Sequence, residues 1–339
     1  MERKGIIAAG NWIVDSIKFI DIYPTKGNLV SIRREEEGLG GCAHNVLVDL
    51  ARLGSGMPLY AGGCIGNDKK GRMALDACFR YGIDASNIRM MENVPTSYTD
   101  VMSETGGSAT RTFFHCRGAN ALLSPEMIEA IDVPARIFHL GYLLLLDKLD
   151  SVDPEYGVVA ARVLDNLQRK GYRTSVDVVS EEGDRYRSVI IPCLKYIDYF
   201  VVNEVEAGAC LDTDLRDPSG CVDVEKVKQA AVGLLKMGVG RIVAIHFPEG
   251  GVAASSTGEI CFVQSELMPA SEIVSAVGAG DAFCAGALYA IHEGYSLEAM
   301  LKFAAACARF NLRSADSTSG APSIDELSKQ HFGFFRDRQ

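Results

Sequence analysis

The chain has 339 residues, 47% of them hydrophobic and 23% charged, the balance of a globular protein with ample apolar mass for a core. Its formal net charge of −10 argues against a nucleic-acid surface built on a basic stripe, and the longest apolar run, Ile137–Leu146, is too short to cross a bilayer. Ten cysteines are scattered without a C-x-x-C pair or a local Cys/His cluster, so the expectation is reduced thiols in a cytoplasmic protein with no zinc site.

Taken in order, Ile6–Ala9 reads as a strand and Ala43–Leu53 as an amphipathic helix with Val46, Leu47, Leu50 and Leu53 on one face. Lys69–Tyr81 is helical and stops at Gly82. Ile137–Leu140 is a strand, and Glu155–Lys170 a helix ending at Gly171. Thr174–Val179, Tyr199–Val202 and Arg241–Ile245 read as buried strands, with a helix over Val224–Met237. This alternation predicts one α/β domain over residues 1–339, with a central, mostly parallel sheet flanked by helices. Two intervals break it. Residues 16–35 and 95–117 carry short alternating runs such as Arg111-Thr112-Phe113-Phe114, expected as antiparallel strands set apart from the main sheet. The last ten residues are expected to fray. Ligands of parallel sheets gather at the carboxyl ends of strands, and Asp15, Gly141, Asp177 and Asn203 all follow strand-like runs.

The most informative stretch is 274–286, V-S-A-V-G-A-G-D-A-F-C-A-G, a tight loop opening a buried helix. Gly278 and Gly280 can take backbone angles closed to other residues and let a ligand approach the main chain. The N–H groups of Ala279, Gly280 and Asp281 would then point at an anion above the helix start. A carboxylate there repels a bound phosphate, which makes sense if Asp281 takes the proton from a hydroxyl attacking that phosphate. The plainer alternative is a glycine turn with Asp281 as a helix-start residue. No G-x-G-x-x-G follows the first strand and no G-x-x-x-x-G-K-[ST] occurs, which argues against a dinucleotide-binding or P-loop site.

This stretch resembles the C-terminal signature D-T-x-G-A-G-D of the ribokinase-like (PfkB) carbohydrate kinases. Gly40-Gly41-Cys42-Ala43-His44-Asn45, followed by Ala51-Arg52-Leu53-Gly54, resembles the family's N-terminal G-G-x-x-x-N and A-R-L-G. Asn203-Glu204-Val205-Glu206 resembles its N-x-x-E element, and Gly10-Asn11 with Asp15 its substrate-facing first turn. Gly66, Asp68, Gly71, Gly118-Ala119-Asn120 and Gly141 also fall in family order, so the resemblance runs from residue 5 to residue 325.

The resemblance implies a ribokinase-like fold with a small β-sheet lid. It implies an ATP- and Mg²⁺-dependent kinase acting on a hydroxyl of a sugar, sugar acid or nucleoside. Asp281 would be the base, and Gly278, Ala279 and Gly280 the anion hole. Glu206, with Asn203, would orient Mg²⁺ through water. Asn11, Asp15, Gly41 and Asn45 would meet the acceptor, with His115, Arg117 and Asn120 completing the pocket from the lid side. His246 and Gly251 would lie beside the nucleotide. The lid, segments 16–35 and 95–117, would close over the substrate and pair two subunits as a homodimer. No membrane or nucleic-acid partner is expected. Two alternatives remain open: a nucleoside or pseudouridine kinase, and a sugar-sensing protein of weak catalytic power.

The chain departs from the family at two places. Ser275 and Ala276 stand where Asp and Thr help form a monovalent-cation site in potassium-activated relatives, which puts K⁺ activation in doubt. In Ile245–Gly251, relatives show T-x-G-x-x-G; here His246 replaces the threonine and Pro248 the first glycine, removing a backbone donor, while Gly251 remains. His139, His246 and His292 are not in metal-ligand spacing and read as structural.

Overall fold

The computed structural model describes residues 3–105, 110–181, 183–266 and 268–330. Residues 106–109 of the second lid segment, and residues 331–339 where fraying is expected, lie outside the described residues.

The centre of the molecule is a nine-stranded sheet in the order Ile260–Gln264, Gly250–Ser255, Ile242–Phe247, Tyr199–Asn203, Arg173–Val178, Ile137–Leu143, Ile6–Gly10, Leu59–Gly66, Asp84–Met91. The first three strands pair antiparallel and the other joints are parallel. Strand alternation divides the core in two. Ile7 and Ala9 face one layer with Phe138, Val176 and Phe200, whereas Ile6 and Ala8 face the other with Leu47, Leu288 and Phe303. A strand covered on both faces reads as a continuous apolar run, which is why Ile6–Ala9 was legible.

Helices start where their caps dictate. Asp68 accepts the N–H of Gly71 at 2.8 Å and opens Lys69–Arg80, and Asp223 opens Val224–Lys236 in the same way. The helix expected over Glu155–Lys170 begins only at Val159, because Val152–Asp153 and Gly157–Val158 first pair as a small hairpin.

From Ile6–Gly10 the chain builds outward to Leu59–Gly66 and Asp84–Met91. It then crosses back to Ile137–Leu143 and builds outward the other way. The reversal leaves a crevice at the carboxyl ends of Ile6–Gly10 and Ile137–Leu143, the place where such sheets bind ligands.

The second sheet has the order Ile32–Gly40, Ile13–Ile20, Tyr98–Glu104, Arg111–Cys116. It is the expected lid with two differences: its first segment is longer, covering strands 13–20 and 32–40, and its central pair is parallel. Asp15 pairs with Thr99, and Thr99 with His115, so alternation puts Asp15, Thr99, Phe113 and His115 on one face and Phe114 on the other.

Candidate active site

Asp281 lies in the first turn of the helix Ala279–His292, whose N-cap Gly278 has φ +80°. A Cβ on Gly278 would sit 2.3 Å from the carbonyl oxygen of Ser317, so both the angle and the space demand glycine. Ala282 N–H is taken by Gly278 O at 2.9 Å, and Ala279 N–H bends back to Ala276 O at 3.3 Å. Helix geometry leaves Gly280 and Asp281 N–H without an intrahelical acceptor. Two amides are therefore left to meet an anion at this helix start, where the sequence alone suggests three.

Both oxygens of Asp281 are held: Oδ2 accepts from Asn45 Nδ2 at 2.7 Å, and Oδ1 from the Tyr142 hydroxyl at 2.9 Å. Asn45 is itself fixed through its Oδ1, which accepts the Ser317 hydroxyl at 3.1 Å. Burial raises the Asp281 carboxyl above the ordinary range, while the bonds from Asn45, Tyr142 and the Cys42 thiol oppose the rise. The carboxyl is thus oriented and made more basic than a solvated aspartate, two properties of a general base.

On the acceptor side, burial pushes Asp15 up to about 6 against its bond from Thr99, and Asp281 adds to the rise. Gly40 and Gly41 let this strand end close on the helix Cys42–Arg52. A Cβ on Gly40 would meet Asp15 Oδ2 at 2.6 Å, and one on Gly41 (φ +88°) would meet Asn11 O at 2.5 Å. His115 Nδ1 lies 3.0 Å from the Thr99 hydroxyl, and burial and then Arg117 lower its pKa. Arg117 reaches Leu144 O at 3.0 Å and Asp147 at 3.2 Å. Asn11 and Asn120, expected on the acceptor, bond each other. Asn120 Nδ2 donates to Asn11 Oδ1 at 3.0 Å, Asn11 Nδ2 donates to Tyr142 O at 3.1 Å, and both side chains are fully buried. They brace the crevice wall behind the pocket, as buried amides with complete partners do.

On the other side of Asp281 a cleft of about 900 Å³ is lined by Asn203, His246, Pro248, Gly250, Ala279 and Gly280 among others. That volume suits a nucleotide-sized ligand. Pro248 and Glu249 form the two-residue turn between Ile242–Phe247 and Gly250–Ser255, with Phe247 paired to Gly250. His246 packs on Phe283 at 4.8 Å and, lowered to about 4 by burial, is neutral. Gly250 lines the cleft, and beside it a Cβ on Gly251 would meet Leu301 and Phe283. Asn203 and Glu206 form a reciprocal capping box, each side chain taking the other's N–H, and Ser180 donates to Glu206 at 2.8 Å. Burial first, with Glu204 and Asp281 adding, lifts Glu206 to about 7.

Sequence reading missed Tyr142, since one tyrosine inside an apolar run carries no local signal. It also missed that Cys42, His139 and Asp177 meet in space, correcting the expectation of no Cys/His cluster.

A family model described as pfkB family carbohydrate kinase matches residues 8–324. The chain is 26% identical over 315 residues to a ribokinase of Arabidopsis thaliana, covering 89% of this chain and 74% of that one. It is 25% identical over 329 residues to a ribokinase of Schizosaccharomyces pombe, covering 95% and 96%. A nucleoside kinase of Methanothermobacter thermautotrophicus is 24% identical over 331 residues, covering 97% and 96%. Among solved structures, the Arabidopsis ribokinase complexed with ribose and ATP superposes with a TM-score of 0.78 at 22% identity, covering 96% and 98%. The Thermotoga maritima ribokinase gives 0.76 at 20%, covering 96% and 98%. With the family model spanning nearly the whole sheet-and-lid architecture, this chain belongs to the pfkB family of carbohydrate kinases.

Proposed function

We propose that the protein transfers the γ-phosphoryl group of ATP to a hydroxyl of a sugar or sugar acid, with Asp281 as general base. The observation that carries this is the setting of Asp281. It is a buried carboxylate with both oxygens oriented, beside a helix-start anion site, between the switch-point crevice and a nucleotide-sized cleft. The acceptor hydroxyl gives its proton to Asp281 as its oxygen bonds to the γ-phosphorus. The bond from that phosphorus to the β–γ bridging oxygen breaks, and ADP leaves. The amides of Gly280 and Asp281 hold charge on the transferring group. Asp15 and Asn45 orient the acceptor, and the lid excludes the water that would otherwise accept the phosphoryl group.

Asp177, Glu206 and Asp281 are buried near one another and each raises a neighbour's pKa, a gathering of like charge that suits a divalent cation. Glu206 would hold Mg²⁺ through water, and the bound ion neutralises charge on the nucleotide phosphates. Ser275 makes K⁺ dispensable: it has no charge, and its Oγ accepts the Val277 N–H at 3.1 Å. Replacing K⁺ by a large organic cation is expected to leave turnover unchanged; a large drop in rate would show that backbone carbonyls alone build the cation site.

A nucleoside acceptor is the second reading, favoured by Phe113. It is 61% exposed on the same lid face as Asp15 and His115, where it could stack a base. An ATP-consumption screen over sugars, sugar acids and nucleosides decides between the two. Turnover on none of them would return the chain to the sugar-sensing alternative.

The opposite lid face carries Ile20, Ile32, Met102 and Phe114 around a shallow groove, and the outer strands Ile32–Gly40 and Arg111–Cys116 present free edges. Among the described residues nothing pairs with those two edges; such surfaces are covered in working proteins, and a two-fold pairing of lids covers both at once. Light scattering at micromolar concentration is expected to give about twice the 36.6 kDa chain mass, the two-fold case. A monomer mass would mean that the lid stands alone.

A further inference from the structure

Three chemically distinct ligand groups meet at the floor of the crevice: Cys42 and His139 take no part in the transfer described above, and Asp177 borders the acidic group around Glu206. Cys42 is the first residue of the helix Cys42–Arg52, His139 lies inside the strand Ile137–Leu143, and Asp177 is near the end of Arg173–Val178. Their donor atoms all lie within 4.8 Å of one another. Cys42 and His139 have no exposed surface, and Asp177 has 8%.

Each ligand is oriented by a bond made through its other atom or its neighbours. His139 Nδ1 bonds the Ser175 hydroxyl at 3.1 Å, which turns Nε2 to the Cys42 sulfur at 3.0 Å. Asp177 Oδ1 accepts the Val178 N–H at 2.8 Å. A hydrogen-bond partner on the far nitrogen of a histidine is the usual companion of a metal ligand. Sulfur, imidazole nitrogen and carboxylate oxygen are the donor set of zinc, and tetrahedral zinc asks for donor separations of about 3.3–3.6 Å. The sulfur-to-nitrogen distance of 3.0 Å lies below that range and the other separations are within 4.8 Å, so closing on an ion takes side-chain shifts on the order of 1 Å. A thiolate and a carboxylate balance a dication, so the loaded site is neutral and can stay buried.

We propose that Cys42, His139 and Asp177 bind one thiophilic divalent cation of the zinc type, with the fourth position open toward Asp281. Binding replaces the thiol proton with the metal and releases that proton to solvent. Gly141 lies against the Cys42 sulfur, where a Cβ would sit at 2.5 Å, and the next residue, Tyr142, donates to Asp281, so the cluster adjoins the base. The loaded form therefore sets a dication against the base and silences it. The metal site stands on its own geometry, whereas the silencing rests on the kinase reading.

The test adds Co²⁺ alone to the full chain after chelator treatment and follows absorption. The expected result is one equivalent bound per chain, with a thiolate-to-Co²⁺ charge-transfer band and the visible bands of a tetrahedral ion. Cys42→Ser should remove the charge-transfer band and His139→Gln should weaken binding at least about tenfold, the loss typical of a disturbed metal shell. Cys210→Ser, which alters a buried thiol in the other half of the core, should change neither. Thermal unfolding with and without Zn²⁺ checks each variant: wild type should be raised by the ion and Cys42→Ser should not. No band in wild type, or a band that survives Cys42→Ser, overturns the site. In the kinase assay, the ratio of turnover with one equivalent of Zn²⁺ to turnover without it should be low in wild type and near one in His139→Gln. Full activity of Co²⁺- or Zn²⁺-loaded wild type overturns the silencing. Failure of the kinase reading itself leaves the absorption result untouched, so the two are told apart.

Discussion

Asp281→Asn is expected to lower turnover by about two to four orders of magnitude, the usual contribution of a positioned general base. Asparagine keeps the size of the side chain and can still accept the Tyr142 hydroxyl, so the crevice and the cleft keep their shape. What it lacks is a basic oxygen for the acceptor proton. The loss should therefore fall on kcat, with KM for nucleotide and acceptor changed little, the pattern of an interaction made only in the transition state. Retention of more than about a tenth of wild-type activity, far above what loss of a general base allows, would move the role elsewhere. Asp15 is then the first candidate. It is the other buried carboxyl on the acceptor side, its pKa is already lifted to about 6, and it feels the charge of Asp281.

The parts of the site legible in the sequence are those whose geometry is local. Gly278 must be glycine because of its own φ and the Ser317 carbonyl above it, and Asp281 follows three residues later on the same turn. The Gly41 and Asn45 pair was legible for the same reason, being one helix start. Contacts across the fold were not. Asn45 bonds Asp281 over a separation of 236 residues, and Tyr142 over 139. Nothing in the apolar run around Tyr142 distinguishes it from a core residue. Asn11 and Asn120 were equally out of reach: nothing local tells that these two polar residues, 109 positions apart, bond each other.

The fold divides in the same way. Apolar strands and amphipathic helices announced themselves, but Leu59–Gly66, with three glycines in L-Y-A-G-G-C-I-G, does not read as a strand. Its glycines are there for neighbours. A Cβ on Gly63 would meet the Trp12 ring at 2.5 Å, and one on Gly62 would meet Ile131 at 2.9 Å. Trp12 in turn donates its indole N–H to Gly62 O at 2.9 Å. The strand exists because tertiary packing selects against side chains at those positions.

Tyr142→Phe offers the sharper test of how the base is tuned. The Tyr142 hydroxyl donates to the charged form of Asp281, so it holds the carboxyl pKa lower than burial alone would set it. Removing the hydroxyl takes away one charge-assisted hydrogen bond, worth about 1.5–3 kcal/mol. With that bond gone, burial acts less opposed and the Asp281 pKa should rise. The direction is fixed by the chemistry: the base works only when deprotonated, so a higher pKa removes activity from the acid side first. The acid limb of the kcat/KM profile should therefore move to higher pH. The alkaline plateau should change far less, because the base is fully ionised there in both proteins. At a pH on the old limb the variant should therefore be slower than wild type, and the gap should close as pH rises. A residue that only shaped the pocket would raise KM uniformly across pH and leave the limb in place. That outcome would remove Tyr142 from the tuning of Asp281, and the bond from Asn45 at 2.7 Å would be left to orient the base.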